Sequence, residues 1–263
     1  MKKLLIVLNI VFVGVIIYLV VTRDKKEAPI EAPATETPVN TESGEVTSQN
    51  QILGGEEEES LSGGSSEYLK IDAKYPSFDN KATSKLVKEF IDDQFKTFKQ
   101  ESSFESLPQE EKDRMKENGS QYEFITTYKI YRTENTASIV FSIYTYMGGA
   151  HGGHILRSLN FREGDEQFTI GDVFKPGSGY LATLSKLSRT KLKAALGNEL
   201  GNWSDDGTTP VTSNFEAFYL TEGKLHIIFQ PYQVAPWASG APEITIDLAS
   251  ELKDVISSTF LNE

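Results

Sequence analysis

The chain has 263 residues, with 38 acidic against 26 basic side chains, a net charge of -12 and no cysteine. Such acidity argues against nucleic acid and anionic lipid as principal partners and leaves cationic ones open. The absence of cysteine excludes a disulfide framework, a thiol nucleophile, thiolate-bound zinc and a lipid-modified cysteine anchor.

After Met1-Lys2-Lys3 the chain runs from Leu4 to Val21 without a charge, with Asn9 as its one strongly polar interruption. At about 1.5 Å per residue this run covers most of a roughly 30 Å hydrocarbon core. The stretch Tyr18-Leu19-Val20-Val21-Thr22-Arg23 offers no small-residue cleavage site, so an uncleaved anchor is favoured over a secretory signal. The expected organisation is a cytoplasmic stub (1–3) and a single-pass transmembrane anchor (4–22) touching the membrane through residues 4–21. Lys2 and Lys3 nearly balance Arg23, Lys25 and Lys26. The short segment before the span and the long one after it favour a folded part outside the cytoplasm.

Residues 23–66 read as a disordered acidic linker. From Glu27 to Ser66 there are nine Glu, no Lys, Arg or aromatic residue, and the breakers Pro29, Pro33 and Pro38. Such a segment buries too little apolar surface to offset its ordering entropy.

The remainder reads as α+β, antiparallel hairpins packed with helices, in two consecutive sandwich-like pieces, 67–150 and 151–263. A strand from Tyr68 to Tyr75 ends at Pro76. A helix capped near Asp79 or Asn80 follows, with Leu86, Val87, Phe90, Ile91, Phe95 and Phe98 on one face. Pro108 opens a second helix and Gly119 closes it. Gln121 to Arg132 and Thr136 to Met147 form a hairpin around Thr133-Glu134-Asn135. The second piece begins with a strand at Ile155 to Arg162 and the apolar stretch Phe168 to Phe174. A helix from Tyr180 to Leu196 follows, ended by Gly197. Phe215 to Leu220 and Lys224 to Gln230 flank the turn Thr221-Glu222-Gly223. A strand at Glu243 to Ile246 leads into a last helix capped by Asp247, with Leu248, Leu252, Val255, Ile256 and Phe260 on one side.

Candidate chemistry is sparse. His151-Gly152-Gly153-His154 sets two imidazoles three apart in a glycine-rich turn, and a zinc site would need His226 or a carboxylate as its third ligand. No His-Glu-x-x-His helix is present. No metal or other cofactor is therefore expected. An alternative metal-dependent hydrolase of envelope polymers would be built on His151, His154 and His226. Ser188-Arg189-Thr190-Lys191 matches a Ser-x-x-Lys pattern without its usual companion motifs, and is expected on the wet face of its helix. Asp205-Asp206-Gly207 reads as a turn. The loop from Phe229 to Glu243 combines Pro231, Pro236 and Pro242 with Tyr232 and Trp237, a rigid presentation of aromatic groups that suits recognition more than catalysis. The candidate ligand-binding residues are His151, Gly152, Tyr232, Pro236 and Trp237.

The turn Gly148-Gly149-Ala150-His151-Gly152, the Phe168 to Phe174 stretch and the loop from Gln230-Pro231-Tyr232 to Pro242 occur in an order and spacing similar to the RsiV-like tandem of domains of unknown function. That tandem forms the extracytoplasmic region of lysozyme-sensing anti-sigma factors and precedes the catalytic domain of some peptidoglycan deacetylases. The resemblance covers about residues 67–250. It implies a non-catalytic envelope protein that binds a cell-wall glycan or a cationic protein such as a lysozyme. Neither a sigma-binding segment nor a deacetylase domain is expected in this chain.

Overall fold

In the computed structural model the described residues are 52–61 and 65–261, and all of them fall within one compact unit, residues 48–263. The expected stub, anchor and most of the expected linker lie outside the described residues. Two sheets organise the fold. The larger has the order β1-β2-β3-β4-β5-β6, from β1 (Glu56–Ser60), β2 (Leu69–Phe78), β3 (Tyr122–Arg132), β4 (Thr136–Tyr146), β5 (Gly153–Arg162) and β6 (Glu166–Phe168). The smaller joins β7 (Phe218–Thr221), β8 (Lys224–Ile228) and β9 (Glu243–Asp247).

Strands β2 and β3 are parallel, so a crossover must link them. It is supplied by α1 (Lys81–Ser102) and α2 (Gln109–Asn118). Asn80 caps α1, its side-chain oxygen accepting the N–H groups of Ala82 and Thr83. The predicted face of α1 buries Val87, Ile91 and Phe98, with Leu86, Phe90 and Phe95 packed around them against Phe124, Ile139, Phe141 and Phe161 of the sheet. Strands β3 to β6 follow as an antiparallel meander.

The opposite face of the larger sheet receives the smaller one. Val140 and Leu156 meet Ala217, Tyr219 and Ile228 there, while Ser138 and Ser158 accept backbone N–H groups of β7 through their hydroxyls. Covered on both faces, β4 is buried at six consecutive residues from Thr136 to Phe141. The side chains that alternate to the far side of the smaller sheet, such as Leu220, Leu225, Ile227 and Ile246, form a further core with α3 (Tyr180–Leu196).

Several expectations change. Residues 56–60 are not a disordered linker but strand β1, antiparallel to Lys74–Phe78. Leu53, only 2% exposed, pins the segment, and Lys74 and Arg132 pair with Glu58 and Glu56. A run of glutamates is tolerable because it lies at a sheet edge, where charge also blocks pairing with other chains. Strand β2 continues through Pro76, past the last residue paired to β3, Ala73. The boundary expected between 150 and 151 falls at the turn joining β4 and β5, two strands of the same sheet, so residues 153–168 complete the first layer. The stretch after Phe168 is a 3₁₀ turn, Ile170–Val173, because the Asp172 carboxylate accepts both the N–H and the hydroxyl of Thr169. The final helix is one turn, α5 (Leu248–Glu251), after the single-turn α4 (Ser204–Gly207). Leu248, Leu252, Val255, Ile256 and Phe260 are buried all the same. Backbone bonds from Lys175 to Val255 and from Ser257 to Val173 draw the chain into a bridge with Phe174 instead of a helix.

Candidate functional site

The 229–243 loop is built around a tight turn. Gln233 donates its N–H to the carbonyl of Gln230, with Pro231 and Tyr232 between them and Tyr232 at φ 69. Proline followed by a residue at positive φ is the signature of a type II turn. Tyr232 carries the left-handed strain that glycine would avoid, and the surroundings hold it there. Trp203 donates its indole N–H to the Tyr232 carbonyl at 2.7 Å. Gln233 donates its amide to the carbonyls of Gly207 and Asn214, and Gln230 donates its N–H to the Gln233 side chain. A side chain at Gly207 would come within 2.0 Å of the Gln233 carbonyl oxygen, so that contact admits only glycine.

The same loop is fastened to the larger sheet. The Gln230 side chain accepts the N–H of Leu156 at 2.8 Å and donates to its carbonyl at 2.9 Å, acting as one residue of extra strand on the free edge of β5. This places the loop beside the β4–β5 turn. The imidazole of His151 stacks on the indole of Trp237 with ring centres 4.8 Å apart, and Tyr232 tilts against the same indole at 5.7 Å. Tyr232 is 52% exposed and Trp203 43%. His151 and Pro236 are also exposed, and Trp237 is half-buried. Offset ring pairs of this kind hold a partly exposed aromatic surface in fixed geometry.

His151, distant in the chain, thus converges with Tyr232 and Trp237 of the loop, with Pro236 beside them. Gly152 is buried and plays a packing part: an added side chain would lie 2.5 Å from the Tyr144 ring and 2.6 Å from the Thr145 carbonyl. Trp203 was not among the expected residues. Its signal is a lone tryptophan in the polar, breaker-rich segment Gly201-Asn202-Trp203-Ser204-Asp205.

The three histidines have separate employments. His151 Nδ1 lies 2.8 Å from the Gly152 carbonyl, and His154 Nε2 lies 2.7 Å from the Ser142 hydroxyl. Burial holds the His154 imidazole below its ordinary pKa. His226 sits on β8, between Thr221 and Glu243. Among the described residues no group of three His, Asp or Glu is placed to hold a metal ion, so the site expected for a metal-dependent hydrolase is not assembled. Ser188 is fully buried and not on the wet face, and Lys191 pairs with Glu251 at 2.9 Å. Asp205 and Asp206 lie in the one-turn helix α4, where Arg189 pairs with Asp205.

Residues 62–154 match the family model described as deacetylase PdaC, and residues 171–249 match a protein family of unknown function, DUF3298. The chain is 29% identical over 194 residues to the peptidoglycan-N-acetylmuramic acid deacetylase PdaC of Bacillus subtilis (strain 168), an alignment covering 72% of this chain and 39% of that protein. The chain therefore corresponds to well under half of that relative's length. A DUF3298 protein from Bacteroides fragilis shares the fold with a TM-score of 0.57 at 17% identity, over 80% of this chain and 98% of that one. One from Pseudomonas aeruginosa PAO1 does so with a TM-score of 0.53 at 16% identity, over 79% and 94%. The α+β fold is thus that of the DUF3298 structures.

Proposed function

We propose that the chain is a non-catalytic binding module of the bacterial cell envelope that holds a cell-wall glycan on the His151, Tyr232 and Trp237 surface, with Trp203 supporting it. The observation that carries this reading is the convergence of those rings on one partly exposed, rigidly braced surface. Sugar rings present flat C–H faces that aromatic side chains cover well, while the ring hydroxyls stay wet. The peptidoglycan activity in the name of the Bacillus relative supports an envelope polymer as the ligand class. In this reading residues 4–21 anchor the chain in the membrane and the folded part works outside the cytoplasm, as the RsiV-like tandem does.

The test is co-sedimentation of the 263-residue chain, in mild detergent, with purified peptidoglycan, together with tryptophan fluorescence during titration with an N-acetylglucosamine tetramer. Retention and a saturable fluorescence change are expected. No retention at low salt and no fluorescence change would overturn the reading.

The net charge of -12 and the exposed glutamates of β1 favour a second occupant, a cationic protein such as a lysozyme. Binding of that kind would be steered by charge and would weaken steeply with salt, which glycan stacking would not.

A further inference from the structure

A groove of about 470 Å³ opens between the two sheets. Its walls come from β3, β4 and β5 on one side and from Ile228, Ala241 and Glu243 on the other. Two features distinguish it from a packing defect: an apolar floor, and two opposite charges at its rim that form no direct ion pair with each other.

The floor is formed by Val140, Leu156 and Ile228, which pack together where the sheets meet. The negative rim group, Glu243, is held in place from behind. Its Oε1 accepts the Tyr219 hydroxyl at 2.7 Å and lies 3.0 Å from His226 Nδ1. Because an ionised carboxylate only accepts, His226 donates from Nδ1, and its Nε2 faces the Thr221 hydroxyl at 2.8 Å. The imidazole lies flat on Tyr219 at 4.3 Å, and Tyr219 on Tyr131 of β3 at 3.8 Å, so a three-ring stack spans both sheets and fixes the carboxylate. Burial pushes the Glu243 carboxyl upward, but the His226 and Tyr219 hydrogen bonds and the Lys129 charge hold it below its ordinary pKa. Its Oε2 has no hydrogen-bond partner among the described residues. The positive rim group, Lys129, is exposed and forms no ion pair among the described residues.

We propose that this groove binds a zwitterionic aliphatic amino acid, its ammonium on Glu243 Oε2, its carboxylate on Lys129 Nζ and its side chain on Val140, Leu156 and Ile228. A simple anion would face the ionised Glu243 carboxylate, and a simple cation would meet Lys129. A zwitterion answers both charges and leaves its hydrocarbon part for the floor. The proposal does not depend on the glycan reading, since none of the three rings of the aromatic cluster lines the groove.

The probe is free leucine, as both enantiomers, against N-acetylleucine and leucinamide, followed by calorimetry and by backbone amide shifts of the full chain. Free leucine should bind saturably and move the amides of Ser142 and Leu156. Each blocked form should bind about tenfold or more weakly, since each loses one charged hydrogen bond. Lys129→Met should weaken leucine about tenfold and leave leucinamide unchanged. Lys129 is exposed and makes no direct hydrogen bond or ion pair among the described residues, so this variant should keep the fold even if Glu243→Gln disturbs the ring stack. N-Acetylglucosamine tetramer binding should be the same in Lys129→Met as in the parent. The proposal is overturned if leucine causes no saturable shift at the groove, if the blocked forms bind as well as the free one, or if Lys129→Met binds leucine like the parent.

Discussion

The imidazole of His151 lies against the indole of Trp237, ring centres 4.8 Å apart and planes 24° from parallel. One ring comes from the turn between two strands of the larger sheet and the other from the loop that leaves the smaller one. Their contact is therefore a tertiary property of the fold. Trp237→Ala should remove the centre of the surface, since both His151 and Tyr232 rest on it. Affinity for the N-acetylglucosamine tetramer should fall about tenfold or more, a hot-spot loss of about 1.4 kcal/mol or above. His151→Ala, which removes one flanking ring, should cost less. Equal affinity of Trp237→Ala and the parent in a fluorescence-independent assay such as calorimetry would remove this surface from the ligand site.

The sequence pattern made most elements legible, and the failures have physical causes. The α1 face, the β3–β4 hairpin, α3 with its closing Gly197 and the turn at Glu222-Gly223 follow from periodicity and local turn chemistry, and the chain forms them. Strand β1 could not be read because Glu56 to Glu59 gives no alternation; its pairing depends on β2 and on the burial of Leu53. The 150/151 boundary falls at a turn between two paired strands, because a glycine-rich turn looks the same there as between domains. Tyr232 and Trp237 stood out as aromatics among prolines. That they meet His151 was not readable, because the meeting depends on the bond between Gln230 and Leu156 across the two layers.

That clamp should be measurable. In Gln230→Ala the Leu156 N–H and carbonyl, on an 8% exposed residue, lose both side-chain partners. Leaving buried backbone groups unpaired costs about 1–3 kcal/mol. The urea midpoint should fall accordingly, and amide exchange at Leu156 should accelerate more than at Phe161. Unchanged exchange at Leu156 would show that the loop is held by other contacts.

Gly152→Ala should be destabilising for a steric reason. Its new methyl would fall 2.5 Å from the Tyr144 ring and 2.6 Å from the Thr145 carbonyl. The ring can turn aside, but the carbonyl belongs to a paired strand. Overpacking of this kind costs roughly 1–3 kcal/mol. Gly149→Ala at the open tip of the same turn meets no neighbouring atom within 4 Å, so its penalty is confined to backbone strain at φ 103. Urea melts of the two variants separate the mechanisms by showing whether loss tracks the crowded position.

His154 should make stability fall on mild acidification. Burial depresses its pKa in the folded chain below the unfolded value near 6.5. The unfolded chain therefore takes up this proton first. The stabilising effect of the neutral ring is fully present above about pH 6.5 and is lost as pH falls through the depressed folded value. The urea midpoint should drop between about pH 7.5 and pH 5, and the drop should be smaller in His154→Gln, where other titrating groups are unchanged. Identical pH profiles for the two chains would exclude the imidazole as the source.

Strand β1 offers a comparison between charge and burial. Lys74 with Glu58 and Arg132 with Glu56 are surface pairs, worth about 0–1 kcal/mol each and screened by salt. Leu53 is 2% exposed, and its N–H donates to Asp165, whose other oxygen accepts the amide of the α1 cap Asn80. Burying a leucine is worth about 1.5–3 kcal/mol, so the apolar anchor should dominate. Leu53→Ala should speed amide exchange at Glu57 to Glu59 about tenfold or more while Phe141 in the core stays protected. Raising the salt to about 1 M, which shortens screening to about 3 Å, should have the smaller effect on the same amides. If salt loosens the strand as much as Leu53→Ala does, the glutamates and not the leucine hold it in place.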